Sequence, residues 1–325
     1  MAIWNNQLNR VIMKRKLVVA VCGFGAWCGL ARLVAADFEI KNEAEFRKVI
    51  PAEAKVEALA SGFLFVQGPV WVPADGGFLI CSDVPKNELK KYTKLGGVVP
   101  FRKPSNHAIG NTLDRGGRLL SAESDGRRIS ITEKDGQVKT LVDQSDGKKL
   151  NSPQDLIVKS DGTVWFSDPT YGLGTRPKEQ EGNYFFRFDP KTGKAIPVIK
   201  DCEMPNGLCF SPDEKKLYVA DAGEARRIRV FDIGADGLPA NGKVFAEIVT
   251  GVPAGMRCDA AGRLWTTAAE GVRIYTPDGE LIGKVLLHYT PSNLTFGGAD
   301  GKTLFITARK ALYSVRTAVT GAKRP

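Results

Sequence analysis

Pro205-Asn206-Gly207-Leu208-Cys209-Phe210-Ser211-Pro212-Asp213, followed by Lys216-Leu217-Tyr218-Val219-Ala220-Asp221, decides the fold, because the chain repeats it. The stretch reads as one apolar strand, a Pro-Asp turn and a second apolar strand. Pro153-Gln154-Asp155-Leu156-Ile157-Val158 with Asp161-Gly162-Thr163-Val164-Trp165-Phe166 is a second copy, and Pro253-Ala254-Gly255-Met256 with Gly262-Arg263-Leu264-Trp265 a third. Pro291-Ser292-Asn293-Leu294-Thr295-Phe296 with Leu304-Phe305-Ile306 is a fourth, and weaker copies begin at Val66-Gln67-Gly68-Pro69 and Ala108-Ile109-Gly110-Asn111. The equivalent positions are 67, 109, 154, 206, 254 and 292, spaced by 42, 45, 52, 48 and 38 residues.

A period of roughly 40–50 residues with several short strands per unit predicts propeller blades. Eight Asp-Gly pairs, among them Asp161-Gly162 and Asp278-Gly279, supply tight turns between strands. The expected fold is therefore an all-β, six-bladed β-propeller over residues 55–318, with a tail at 319–325. The stretch Lys55–Phe65 is expected to pair beside the last strand, Ala311–Arg316, because ring closure removes the edges that an open array would leave. Helical periodicity is confined to about Asn42–Ile50, within an N-terminal segment 37–54, where Asn42 can cap a short helix. Trp71, Trp165 and Trp265 recur at related positions and read as blade core.

Over 325 residues, hydrophobic residues make up 43% and charged residues 25%, a globular balance. The net charge of +10 suggests nucleic acid until it is located. Residues 1–36 hold Arg10, Lys14, Arg15, Lys16 and Arg32 with no acid, which leaves +5 on the remainder, dispersed and without a groove-like cluster. The same residues read as a signal peptide: basic Met13-Lys14-Arg15-Lys16, apolar Leu17 to Ala31, then Val34-Ala35-Ala36 before Asp37. Export to the periplasm or medium is expected, with no stable membrane span after cleavage; an uncleaved anchor is the alternative. Of the six cysteines, Cys22 and Cys28 leave with the leader. Cys81, Cys209 and Cys258 lie in apolar strand-like runs, where buried free thiols are common. A Cys202–Cys209 bridge is conceivable but disfavoured. With His107 and His288 the only histidines and no Cys-x-x-Cys, a zinc site is not expected. No Gly-x-Ser-x-Gly elbow or phosphate loop occurs.

In a closed ring the residue before each inner strand sits at the channel mouth. Gln67, Ile109, Gln154, Asn206, Ala254 and Ser292 should therefore converge, with Asn293 an alternative to Ser292. This is a ring of amides and small groups.

The runs Gly68-Pro-Val-Trp71, Leu150-Asn-Ser-Pro153, Phe166-Ser-Asp-Pro169, Met204-Pro-Asn-Gly-Leu208 and Phe296-Gly-Gly298, in that order, resemble the gluconolactonase, senescence marker protein (regucalcin) and luciferin-regenerating enzyme family over about residues 56–316. The resemblance implies a six-bladed propeller that holds a divalent cation, often calcium, over its channel and hydrolyses sugar lactones. It also implies a role for each mouth position. The family's Glu before Gly-Pro-Val-Trp, a metal ligand, is here Gln67. Its second Asn in Asn-Ser-Pro-Asn-Asp is Gln154. Its Asn in Pro-Asn-Gly, a metal ligand, is kept as Asn206. Its Asp in Pro-Asp-Gly-Met, ligand and general base, is Ala254, and a further Asn is Ile109. Both carboxylates are replaced.

Calcium takes six to eight oxygens and owes much of its affinity to carboxylate charge. Neutral Gln67, Gln154 and Asn206 lend carbonyl oxygens only, so calcium or another dication is expected to bind weakly at best. Ala254 cannot accept a proton, and loss of a general base costs about 10²–10⁴-fold. Candidates for another base are Glu123, in Ala122-Glu123-Ser124 where the family has Cys-Glu-His, together with Asp155 and His107. For Glu123 the competing role is an ion pair with Arg127 or Arg128; Asp168 and Asp221 read as strand-end hydrogen bonders. Two readings stand. One is an amide-rich site, built from Gln67, Gln154, Asn206 and Asn293, that binds a sugar lactone or polyol without turnover. The other is a metal-assisted lactone hydrolase that uses a different base.

Overall fold

The computed structural model describes residues 37–323; the expected leader, residues 1–36, lies outside the described residues. The repeats fold into antiparallel meanders of four strands each. Blade one is Val66–Val72, Phe78–Asp83, Glu88–Thr93 and Gly97–Arg102; blade two is Ala108–Leu113, Leu119–Glu123, Arg128–Thr132 and Val138–Val142. Blade three is Leu156–Val158, Val164–Asp168, Tyr184–Asp189 and Lys194–Ile199; blade four is Pro205–Phe210, Lys216–Asp221, Arg227–Ile233 and Pro239–Glu247. Blade five is Met256–Cys258, Leu264–Ala268, Gly271–Tyr275 and Leu281–Leu286. Blade six takes Asn293–Gly297, Thr303–Ala308 and Ala311–Arg316 from the C-terminal end and Val56–Ser61 from the N-terminal end. The six-bladed propeller read from the repeat is thus the fold. Its closing strand is the expected one, with Val56 opposite Val315 and Ser61 opposite Ala311.

Successive sheets pack through apolar faces, and the second strand of each blade is buried along nearly all of its length. Trp165 and Trp265 are fully enclosed, whereas Trp71 is only half-buried and stacks on Phe305 at 5.4 Å, across the seam between blades one and six. Ser292 Oγ crosses the same seam at the hub, donating to the Val66 carbonyl at 2.7 Å.

Two features of the N-terminal segment bear on stability. The helix Glu43–Arg47 is capped by Asn42, whose Oδ1 accepts from the Glu45 amide at 3.2 Å, and it carries Phe46 into a core shared by blades five and six, with Val49 and Ile50 just beyond it. Before it, Phe38–Ile40 adds a fifth strand to blade five, with Phe38 opposite Val285. At the other end, Gly321 bridges Asp259, and the Ala322 amide donates to the Cys258 carbonyl at 2.9 Å, so residues after 318 lie along blade five. Cys81, Cys202, Cys209 and Cys258 are free, buried thiols. Among the described residues no helix is long and apolar enough to cross a membrane.

Candidate functional site at the channel mouth

Close approach of neighbouring inner strands builds the hub. A Cβ on Gly207 would lie 2.1 Å from the Ala254 carbonyl oxygen, and one on Gly255 would lie 2.1 Å from Asn293 Oδ1; only glycine fits there. Backbone bonds join other neighbours: the Gly110 amide donates to the Gln154 carbonyl at 2.9 Å and the Gly255 amide to the Ser292 carbonyl at 3.1 Å. On the seam between blades one and two, Asn111 Nδ2 donates to the Gly68 carbonyl at 2.9 Å. Residues 67, 109, 154, 206, 254 and 292 are therefore set at the entrances of six inner strands that meet at the hub.

Their side chains differ in what they are free to do. Gln67 and Gln154 are each 2% exposed and Asn206 is 4% exposed. Gln67 Oε1 accepts from the adjacent Gly68 amide at 3.2 Å. Gln154 Oε1 is buried with no hydrogen-bond partner, which is costly unless something supplies a donor. The Asn206 amide makes no side-chain hydrogen bond among the described residues. Ser292 is spent on Val66 and Thr307, and Ile109 and Ala254 offer no polar atom.

One residue further along each strand lies the hub itself. Four of these positions are glycine (68, 110, 207 and 255), and the other two are Asp155 and Asn293. They meet across the channel, Asn293 Nδ2 donating to Asp155 Oδ2 at 3.1 Å. Asp155 Oδ1 accepts from the Leu156 amide at 3.0 Å, and Arg257 Nη1 stands 4.0 Å from Oδ2. Burial raises the Asp155 carboxyl above the ordinary value, and Arg257 opposes the shift. Arg257 was not anticipated from sequence. Strand alternation, which turns every second residue to one face, was the available signal.

Of the other acids of the upper rim, three hold backbone amides and Glu123 holds side chains. Asp83, Glu123, Asp168 and Asp221 each end the second strand of their blade. Asp83 Oδ1 accepts from the Leu64 and Phe65 amides at 3.1 and 3.3 Å, and Asp221 Oδ1 from Met204 at 3.0 Å. Glu123 pairs with Arg102 at 3.1 Å and Arg128 at 2.7 Å, and accepts from Asn106 Nδ2 at 2.8 Å. The His107 ring faces Asp125, Nδ1 to Oδ2 being 2.6 Å. The longest spacing between repeats, 154 to 206, contains residues 169–183, a long connection over the rim of blades two and three. Ser152 Oγ donates to the Pro169 carbonyl at 2.6 Å and Arg176 reaches the Asp125 carbonyl at 2.7 Å.

Asp168 Oδ2 accepts from the Asn151 amide at 2.7 Å, while Oδ1 is buried without a partner. Burial pushes this carboxyl up to about 7 from 3.8, against the pull of the Asn151 and Ser152 amides and Arg127. A raised folded-state value favours the protonated form, so this contribution to stability is complete below about pH 4 and is lost as the pH rises through 7. Asp168→Asn is therefore expected to gain stability relative to the parent between pH 4 and 7. Urea unfolding at several pH values measures it, and parallel curves would refute it.

A divalent cation does not fit this donor set. The amides at 67, 154 and 206 carry no charge, residue 254 has no donor, and both Asp155 oxygens are engaged at the hub. Among the described residues no three His, Cys, Asp or Glu side chains are grouped to hold a metal ion.

A family model described as SMP-30/Gluconolactonase/LRE-like region matches residues 65–310. A gluconolactonase of Zymomonas mobilis is 35% identical over 304 residues, 84% of each chain. Among solved structures, a candidate gluconolactonase superposes with a TM-score of 0.83 at 36% identity, covering 88% of this chain and all of its own. A gluconolactonase from Xanthomonas campestris gives 0.82 at 30% identity, covering 87% and 95%.

Proposed function

Since the chain belongs to the SMP-30/gluconolactonase/LRE-like family of propellers, we propose that its channel mouth binds a small polyhydroxylated ligand, a sugar lactone or polyol, without metal-assisted hydrolysis. The observation that carries this reading is the state of three side chains. Gln154 Oε1 is buried and unpaired, the Asn206 amide has no partner among the described residues, and Gln67 stands beside the same hub. An amide both donates and accepts, which suits vicinal hydroxyls. Water attack on a lactone needs a base or a charged electrophile, and the groups that could stand in have other partners. Glu123 lies between two guanidinium groups, His107 faces Asp125, and Asp155 is tied to Asn293 and Leu156. Export, expected from residues 1–36, would place such a binder among extracellular sugars and their oxidation products.

Calorimetric titration with gluconolactone, pentonolactone and xylitol, in chelator, tests the proposal. Binding should be measurable, and Gln154→Ala and Asn206→Ala should each weaken it about tenfold, about 1.4 kcal/mol. Acid release should stay at the uncatalysed rate with and without calcium, zinc or manganese. Robust turnover abolished by chelator would overturn the reading in favour of lactone hydrolysis.

A further inference from the structure

Below the hub the channel widens into a cavity of about 490 Å³, whose lining includes Cys209, Arg257 and Cys258. Cys209 lies on the inner strand of blade four and Cys258 on that of blade five. Their sulfur atoms are 3.8 Å apart, although 49 residues separate them in sequence. Both side chains are buried, at 4% and 3% exposure, against Tyr218, Met256 and Leu264. The seam between them is already tight, as the approach of Gly207 to Ala254 shows.

We infer that Cys209 and Cys258 form a redox pair, oxidised to a disulfide that staples blades four and five beneath the mouth. A disulfide needs its sulfurs at about 2.0 Å, so the pair must close from 3.8 Å by side-chain rotation or a small shift of the seam. The oxidant is a small disulfide such as oxidised glutathione. One cysteine thiolate attacks it, expelling one reduced thiol and leaving a mixed disulfide. The second cysteine then attacks the protein sulfur of that adduct and expels the other. Two protein thiols are oxidised to one disulfide and one small disulfide is reduced to two thiols, which balances protons and electrons. The cavity gives the adduct room, and its wall carries Arg115, Arg257 and Lys323 against Asp114 and Glu214, one cation in excess. Cys81 and Cys202 are buried apart from this pair, in other core clusters.

The test is peptide mapping of the full chain after incubation with oxidised glutathione, unfolding in alkylating agent and digestion. The expected result is one linked peptide holding Cys209 and Cys258, about 2 Da lighter than its two parts and released by a phosphine, with Cys81 and Cys202 alkylated. The oxidised protein should also melt roughly 5 °C higher than the reduced one, from loop closure in the unfolded chain, and Cys258→Ala should lose that shift. Finding both residues alkylated, each carrying its own glutathione, or either linked to another cysteine would overturn the assignment. Because mapping uses the unsubstituted chain, it decides the matter even if Cys258→Ala fails to fold.

Discussion

Gln67→Glu combined with Ala254→Asp is expected to tighten calcium or manganese binding at least about 100-fold, about 2.7 kcal/mol, as measured by calorimetric titration of chelator-treated protein. Each new carboxylate within ~5 Å of a dication gains several kcal/mol at an effective dielectric near 20, and its own desolvation offsets part of that. Ala254 is only half-buried, so a longer side chain has somewhere to go. Gln67 Oε1 already accepts from the Gly68 amide, a bond that a glutamate oxygen can keep. Either substitution alone should give well under half of the free-energy gain, because one charge leaves the dication under-compensated. No gain from the pair would mean that residues 67 and 254 do not face a common point, and the mouth as drawn would be wrong. A gain in affinity without lactone turnover would separate metal holding from catalysis and direct attention to Gln154.

The period made the architecture readable because each blade buries its faces against its neighbours and must repeat its apolar strands to do so. The closing strand was readable for the same reason: Val56–Ser61 is an extended run ahead of blade one with nowhere else to pair. The fifth strand of blade five was not, since Phe38–Ile40 is too short for alternation to register and owes its place to tertiary pairing. At the mouth, the six positions followed from the repeat, but what their neighbours do there did not. Asp155 is adjacent in sequence to Gln154, yet a single step along the strand moves it from the mouth into the hub, where Asn293 meets it from blade six. No local pattern reports a partner 138 residues away. The acids at the ends of second strands stand between these cases. Asp83, Asp168 and Asp221 occupy equivalent repeat positions and hold equivalent backbone amides. Comparison of blades within this one sequence exposes that shared role. The Arg128 partner of Glu123 was readable from its nearness in sequence, whereas Arg102, on the outer strand of blade one, required coordinates.

Ring closure makes the other large prediction. A chain beginning at Gly62 loses the outermost strand of blade six, the helix and the added strand of blade five. Burial of Phe46, Val49 and Ile50 in the core shared by blades five and six is worth roughly 5–9 kcal/mol at 1.5–3 kcal/mol each. That is a large share of the stability of a typical domain, about 5–15 kcal/mol, and an upper bound on the net loss, because the unfolded chain already buries part of the same surface. Loss of Val56–Ser61 further bares the Ala311–Arg316 edge, an open template for pairing between molecules. The shortened chain is expected to aggregate or to lack near-ultraviolet circular dichroism, whereas one beginning at Asp37 folds. A chain beginning at Lys55 separates the two contributions, because it keeps the closing strand and loses only the helix and the strand before it. It should still fold, with its midpoint lowered by about 10 °C or more. If the Gly62 chain instead melts within a few degrees of the Asp37 chain, closure by the N-terminal strand is not what holds the ring, and the six inner strands must be locked by the hub contacts alone.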